Sequence, residues 1–153
     1  MSVSCCRNRR LFLRAVSILA VTVLAACAAP PAAPPNPFVG SWANANNDTV
    51  ALREDTVVEN APGGGTIALD SSSCSGAFNF GYTTWNTQAL LALLPRQPNL
   101  TKNLAELLTA QSYPVAVLHC GQGDHTYVLL NDRELIAIYR DGDIGAVERL
   151  ARR

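Results

Sequence analysis

The last third of the chain constrains the fold most strongly, because four β-prone runs follow one another with only short turns between them. The runs read YPVAVLHC, HTYVLLN, ELIAIYR and AVERLAR, and the segments that separate them read GQGD, DR and DGDIG. Turn chemistry at such close intervals predicts an antiparallel meander. The last run is ambiguous, since IGAVERLARR also fits a short terminal helix.

Shorter β-prone runs precede the meander. TVALRED and TVVEN meet around Glu54-Asp55, which predicts a hairpin. TIALD and GAFNFGY predict two further strands, and the polar stretch SSSCS between them predicts a turn that carries Cys74. The glycine-rich stretch Ala61–Gly65 is a flexible breaker.

The hydrophobic period changes between these two groups of strands. Thr87–Leu94 is rich in Leu and Ala and ends at Pro95. Four leucines then fall at the spacing of one helix face, namely Leu100, Leu104, Leu107 and Leu108. Asn99 is the predicted N-cap of this second helix. The pattern predicts an inserted helical hairpin that packs over one end of a sheet, with a partner-docking surface as the alternative.

The start of the chain is typical of a secretory signal. Arginines are dense between Arg7 and Arg14, and Ala15–Ala26 is an uninterrupted uncharged stretch. That length suits the apolar core of a signal peptide, whereas a membrane-spanning helix needs about 20 apolar residues. We therefore predict a signal peptide over residues 1–26.

Leu24-Ala25-Ala26-Cys27 resembles the lipobox of bacterial lipoproteins. The resemblance implies that Cys27 receives a diacylglycerol and becomes the new N-terminus, and the alternative is an ordinary secretory signal that carries a Cys near its end. Ala28 and Ala29 follow Cys27, with no Asp in the position that often retains lipoproteins in the inner membrane, which favours delivery to the outer membrane. Residues 27–37 then form the lipidated Cys and an Ala/Pro-rich, extended tether, and residues 38–153 form a single periplasmic β-rich domain.

The run FVGSW, Phe38–Trp42, with the hairpin that follows it, resembles the opening of small lipocalin-like bacterial domains. In those domains a Gly-x-Trp on the first strand places the ring under one end of a barrel or sandwich. The resemblance implies a buried Trp42. Together with the periodicities, it predicts a mainly β (α+β) fold. This fold is a small antiparallel barrel or sandwich with an inserted helical hairpin, stapled by one disulfide.

The cysteines are divided between the export signal and the domain. Cys5 and Cys6 leave with the signal, and Cys27 is taken by lipid, so that Cys74 and Cys120 remain. In an oxidising periplasm an isolated pair predicts one disulfide.

Two sharper interpretations of Cys120 stay open, because His119 precedes it and His125 follows it. They are a Cys/His metal site and a cysteine nucleophile. The chain lacks the CxxC, HxxxH and HExxH spacings that such sites use. If residues 115–120 form a strand, His119 and Cys120 also point to opposite faces.

Charge and motifs argue against several classes of function. Four of the twelve Lys and Arg residues lie in the predicted signal, so eight basic residues face twelve acidic ones, a net charge of about −4. A mildly acidic domain argues against nucleic-acid binding. Asp124 and His125 are predicted to be an exposed pair beside a turn. Asp141–Asp143 predicts a β-turn rather than a calcium loop.

Motifs of hydrolases and phosphate-binding loops are also missing, since there is no G-x-S-x-G, no S-x-x-K and no glycine-rich loop that leads into a helix.

We therefore predict a non-catalytic envelope lipoprotein without a cofactor, anchored to the membrane by lipid, that binds an envelope protein or the cell wall. One alternative is a lipocalin-like carrier of a small apolar ligand, and another is a periplasmic inhibitor of an enzyme such as lysozyme. The loops at Ala61–Gly65 and Gly121–Asp124 and the helical hairpin are the candidate contact surfaces.

Overall fold

Antiparallel strands make up most of the structure, a computed structural model that describes residues 35–61, 65–76 and 81–153. The predicted signal peptide, the lipobox with Cys27 and the tether up to residue 34 lie outside the described residues. So do residues 62–64 of the glycine-rich breaker and residues 77–80 of the predicted GAFNFGY strand. Among the described residues, no helix is long and apolar enough to cross a membrane.

The described residues form ten strands and two short helices. The first six strands are β1 (Gly40–Ala43), β2 (Thr49–Leu52), β3 (Thr56–Ala61), β4 (Gly65–Asp70), β5 (Cys74–Gly76) and β6 (Thr83–Asn86). Two helices follow, α1 (Thr87–Leu91) and α2 (Pro98–Leu107). The long strands complete the chain, as β7 (Ser112–Cys120), β8 (Gly123–Asn131), β9 (Glu134–Asp141) and β10 (Ile144–Arg152).

The strands form one nearly closed antiparallel barrel. Their order around the sheet is β4-β3-β2-β1-β10-β9-β8-β7-β5, so the first and last strands of the chain pair with each other. In that pairing Trp42 lies opposite Arg152. The outer edge of β7 is shared, because β5 pairs with its end and β6 with its beginning. Among the described residues no ladder joins β4 to β5, which leaves the barrel's one gap there.

Strand alternation gives the barrel an inner core and an outer core, since successive side chains point to opposite faces of a sheet. The inner core is filled by large residues of one parity, including Trp42, Leu52, Leu118, Leu135 and Leu150. Residues of the other parity, including Val115, Val128, Ile136 and Ile138, form the outer core with leucines of the two helices. The central parts of β7, β8 and β9 are therefore buried on both faces.

The helical hairpin packs on the outside of the barrel, which confirms the prediction of core packing over the sheet. Leu90 and Leu104 are fully buried in the outer core. The hairpin lies so close to β10 that a Cβ added at Gly145 would come within 2.8 Å of the Leu94 side chain. The predicted N-cap at Asn99 is wrong: α2 begins two residues earlier than that N-cap implies, at Pro98 with Gln97 as N-cap, because proline suits the first turn of a helix.

Trp42 is fully buried, as the lipocalin-like resemblance implies. Its indole Nε1 donates to the carbonyl of Phe38 at 3.0 Å, and the guanidinium carbon of Arg152 lies 4.2 Å from its ring centroid. Arg152 also donates to the carbonyl oxygens of Pro37, Val39 and Asp132, which ties three chain segments together.

Gly40 makes this arrangement possible. It has a φ of +155°, and a Cβ there would lie 2.5 Å from Nη1 of Arg152.

The sheet confirms several predictions and settles the ambiguous ones. The hairpin around Glu54-Asp55 and the four-stranded meander are present. The last run is a strand rather than a helix, because β10 pairs with β9 along most of its length and with β1. The turn before β5 covers only residues 71–73, and Cys74 is the first residue of the strand.

Candidate functional site

An open pocket of about 690 Å³ lies on the inner face of the barrel. Strands from both sides of the barrel supply its apolar lining, which includes Val50, Ile67, Leu69, Tyr127, Ala137 and Tyr139. Ligand pockets in proteins commonly have volumes of about 300–1,000 Å³ and a mostly apolar lining with a few polar groups. The pocket therefore has the size of a small-molecule site.

The pocket reaches the protein surface at one end of the barrel. Its lining there includes Ser73, from the turn between β4 and β5, and Gly121 and Gln122, from the turn between β7 and β8. All three residues are exposed to solvent. The turn that contains Gly121 was predicted to be a contact surface, and the structure places it at the rim of the pocket.

A hydrogen-bonded cluster of Glu59, His125 and Tyr127 lies in the pocket wall. The Tyr127 hydroxyl donates to Oε1 of Glu59 at 2.9 Å, and Nδ1 of His125 lies 3.2 Å from the same oxygen. The side chains of His125 and Glu59 are 12% and 27% exposed. Both hydrogen bonds are made to Oε1, and among the described residues Oε2 of Glu59 has no hydrogen-bond partner.

The cluster keeps Glu59 ionised. Burial by itself would raise the pKa of Glu59, but hydrogen bonds from His125 and Tyr127 and the charge of His125 together bring the pKa below its ordinary value. Burial, followed by the nearby Glu59 charge, raises the pKa of Tyr127 well above its ordinary value. Tyr127 is therefore a neutral hydrogen-bond donor, and Glu59 is an acceptor with a full negative charge.

Tyr139 covers the side of this cluster that faces the β7–β8 turn. Its ring meets that of His125 edge to face, with 5.2 Å between the centroids, and its hydroxyl donates to the Gln122 carbonyl at 2.5 Å. Gly123, with a φ of +124°, leaves room for the ring, because a Cβ there would lie 2.9 Å from it and 2.6 Å from the Arg140 carbonyl. The turn and the pocket wall are thus connected through one tyrosine.

Two more carboxylates, Asp48 and Glu148, line the pocket. The side-chain amide of Asn44 donates to both, at 2.6 Å to Oδ2 of Asp48 and 3.3 Å to Oε2 of Glu148. Asn44 therefore holds together two acidic groups from opposite sides of β1, and it partly offsets their repulsion.

His119 lies on the other side of the strand from the pocket. Its side chain is 60% exposed, and its Nδ1 lies 2.8 Å from Oδ1 of Asp124, while Arg140 donates to Oδ2 at 2.7 Å. The hydrogen bond with His119, opposed by burial and supported by Arg140, lowers the pKa of Asp124. His119, Asp124 and Arg140 therefore form a surface group on the opposite face of the sheet from the cluster around Glu59.

Cys74 and Cys120 form the predicted disulfide. They face each other in the ladder between β5 and β7, so the bond holds the short strand β5 against the barrel. Cys120 also lines the pocket. Its sulfur is in a disulfide and is not a free thiolate, and among the described residues no group of three or more His, Cys, Asp or Glu side chains is placed to hold a metal ion.

The structure corrects the predicted environment of the histidines. His119 and Cys120 do point to opposite faces, as expected, but both histidines have carboxylate partners, and His125 is mostly buried rather than exposed in a turn. Glu59 and His125 are 66 residues apart, so no local motif connects them. The alternation of the strands does indicate that both side chains point inward. Glu59 is two residues from the buried Val57, and His125 is two and four residues from the buried Tyr127 and Leu129.

The chain matches no family model, no curated protein and no solved structure.

The ionised state of Glu59 leads to a prediction about acid stability. Because the folded pKa of Glu59 is lowered, its contribution is present above the unfolded pKa, near 4.5, and is lost as the pH falls through the folded value. We expect Glu59→Gln to destabilise the protein most at pH values above this range, and the difference from wild type to shrink on acidification. Urea unfolding at a series of pH values below 5.5, roughly the upper end of carboxylate titration, measures this difference.

The control for this experiment is Glu106→Gln, the same substitution at an exposed position of α2. Its unfolding free energy should follow that of wild type across the series. A difference for Glu59→Gln that grows as the pH falls would show that Glu59 is not stabilised as a carboxylate.

Proposed function

We propose that this domain binds a small, largely apolar molecule inside its barrel and acts as a carrier or sensor of that molecule without transforming it. The observation that carries the proposal is the pocket of about 690 Å³, whose lining combines apolar side chains with the hydrogen-bonded cluster of Glu59, His125 and Tyr127. A few placed polar groups in an apolar cavity are the usual basis of small-molecule recognition. The predicted role as a partner-binding domain becomes the second candidate.

The packing of the helical hairpin favours small-molecule binding over partner binding. Its most buried leucines, Leu90, Leu94 and Leu104, are used in packing against the outer face of the barrel. A surface that already packs within its own domain has less apolar area to offer to a partner. The pocket, in contrast, is an internal surface for which the chain itself supplies no occupant among the described residues.

The chemistry of the pocket supports binding over catalysis. Cys120 is held in a disulfide, and His119 faces away from the pocket. Nucleophilic catalysis needs an activated nucleophile within hydrogen-bond reach of a base. The hydroxyl within reach of Glu59 is that of Tyr127, and burial raises its pKa well above the ordinary value, so Tyr127 is a neutral donor and not an activated nucleophile.

We also propose that the domain is attached to the outer membrane by lipid on Cys27 and faces the periplasm. The lipobox-like residues Leu24–Cys27 support this proposal, together with the Ala/Pro-rich segment that separates Cys27 from the barrel. In this position the barrel would meet molecules that cross or leave the envelope.

The lipid attachment can be tested with Cys27→Ser in the full-length chain. We expect this variant to lose both lipid attachment and signal cleavage, since the lipobox cysteine is the acceptor. Mass spectrometry of the purified protein and membrane fractionation after alkaline, high-salt washing measure the two effects. If the wild-type protein carries no lipid on Cys27, the attachment proposal is wrong.

The binding function can be tested by filling the pocket. Ala146 lines the pocket and lies on an exposed part of β10, whereas Ala151 is an exposed alanine of the same strand with the opposite parity. We expect Ala146→Trp to weaken the binding of Nile red, a neutral apolar dye, by about tenfold or more, which corresponds to roughly 1.4 kcal/mol. Ala151→Trp should bind the dye as wild type does, and fluorescence titration compares them.

Binding that is equal in Ala146→Trp and Ala151→Trp would show that the dye does not enter the pocket. Failure of wild-type protein to bind any apolar probe would overturn the carrier proposal and return the domain to the class of partner-binding proteins.

A further inference from the structure

The charges that line the pocket restrict the class of molecule that fits it. Three carboxylates contribute to the lining, those of Asp48, Glu59 and Glu148. Among the described residues that line the pocket, none is Lys or Arg, and His125 is the one basic side chain. A protonated His125 would cancel one of the three negative charges, so the pocket is negative in either protonation state of that histidine.

A negative pocket disfavours anionic ligands. A fatty acid or a phosphate ester would bring its own negative charge against three carboxylates, and no guanidinium or ammonium group in the described lining would receive it. Like charges in a partly buried site repel with less screening than on an open surface. Neutral or cationic ligands are the ones that the lining can accept.

Two features favour a cation over a neutral molecule. Oε2 of Glu59 has no hydrogen-bond partner among the described residues, although Glu59 is ionised and 27% exposed. Two aromatic residues, Tyr127 and Tyr139, also line the pocket, one bonded to Glu59 and the other against His125. An ammonium group gains both from a carboxylate and from aromatic faces.

We propose that the pocket binds an amphipathic organic cation, with an ammonium head at Glu59 and an apolar body along the aliphatic lining. This inference rests on the proposed binding function and names the chemistry of its ligand. Asp48 and Glu148, which Asn44 holds near each other, add to the negative potential that attracts the cation.

Three probes with the same apolar chain and different heads test the proposal, namely decylammonium, decanol and decanoate. Calorimetric titration of the wild-type domain is carried out at neutral pH and below the concentrations at which the probes form micelles. We expect decylammonium to bind about tenfold more tightly than decanol, by the usual strength of cation–π and charge-assisted contacts. Decanoate should bind more weakly than decanol.

Glu59→Gln identifies the counter-ion, and Glu106→Gln on the exposed face of α2 is its matched control. We expect Glu59→Gln to bring the affinity for decylammonium down to the affinity for decanol measured on the same variant. Glu106→Gln should keep the full preference for the cation. If Asp48→Asn removes the preference and Glu59→Gln does not, the assignment of the head group to Glu59 is wrong.

The outcomes separate this inference from the proposed function. Equal binding of decylammonium and decanol, or tighter binding of decanoate, would overturn the cation proposal and leave the carrier function standing. Failure of all three probes and of Nile red would overturn the carrier function, and the inference with it.

Discussion

Replacing Trp42 with alanine is expected to lower the free energy of unfolding by about 3–5 kcal/mol, the cost of removing a large aromatic side chain from a packed core. Trp42 is fully buried in the inner core of the barrel. Its removal also takes away the donor to the Phe38 carbonyl and the ring on which Arg152 lies. Because β1 and β10 pair at this point, the loss would weaken the closure of the barrel. Urea unfolding followed by far-ultraviolet circular dichroism measures the change.

The chain offers a matched control in its other tryptophan, Trp85. Trp85 is only partly buried and packs at the edge of the outer core. Trp85→Ala should therefore cost clearly less than Trp42→Ala. An equal or larger cost for Trp85→Ala would mean that the helical side of the barrel, and not the Trp42 end, limits the stability of the fold.

Arg152→Lys separates the effect of the positive charge at residue 152 from the effect of its hydrogen bonds to the backbone. Lysine keeps the positive charge but cannot donate to the carbonyl oxygens of Pro37, Val39 and Asp132 from one planar group, as the guanidinium does. We expect this conservative change to destabilise the protein as well. Wild-type stability in Arg152→Lys would show that charge alone holds the strand ends.

Loss of the disulfide is expected to have an effect of similar size. Cys74 and Cys120 are separated by 46 residues in the sequence, and restricting a loop of that length in the unfolded chain stabilises a protein by about 4 kcal/mol in the chain-entropy account. In the folded state the bond holds β5, a strand of three residues whose one ladder among the described residues is with the end of β7. The double variant Cys74→Ser/Cys120→Ser should lose about this amount in urea unfolding.

A reducing agent provides the control for the disulfide. The wild-type protein should lose the same stability when it is reduced, whereas the double variant should unfold identically with and without reductant. Alkylation followed by mass spectrometry reports the thiols in each sample. Wild-type stability that does not change on full reduction would mean that the barrel closes without the bond.

Periodicity, the cysteine pair and the lipocalin-like opening together predicted the fold class. The alternation in the last third of the chain and the tight turns between its runs led to the meander of β7–β10. The helical leucines led to the hairpin, and the cysteine pair led to the disulfide. Hydrophobic periodicity depends on neighbouring residues, and the number of cysteines can be read from the composition, so both are visible in the sequence.

Local detail was less predictable where two signals competed. Asn99 is a good N-cap residue, but the helix starts two residues earlier than that cap implies, at Pro98, because the fixed backbone angle of proline suits the first turn. The terminal run fits both a helix and a strand by period. It became a strand because β9 and β1 supply partners on both of its edges.

The pocket and its chemistry depend on the tertiary structure alone. Sequence periodicity indicates that Glu59 and His125 occupy inward positions, but strands distant in the chain bring them to 3.2 Å from each other. The volume of the pocket depends on the closure of the barrel, which the pairing of β1 with β10 produces. The sequence by itself therefore determined the meander of long strands, the helical hairpin and the cysteine pair, since these follow from neighbouring residues and composition. Only the closed sheet decided which polar groups meet inside it, because those distances depend on register and curvature that no local pattern specifies.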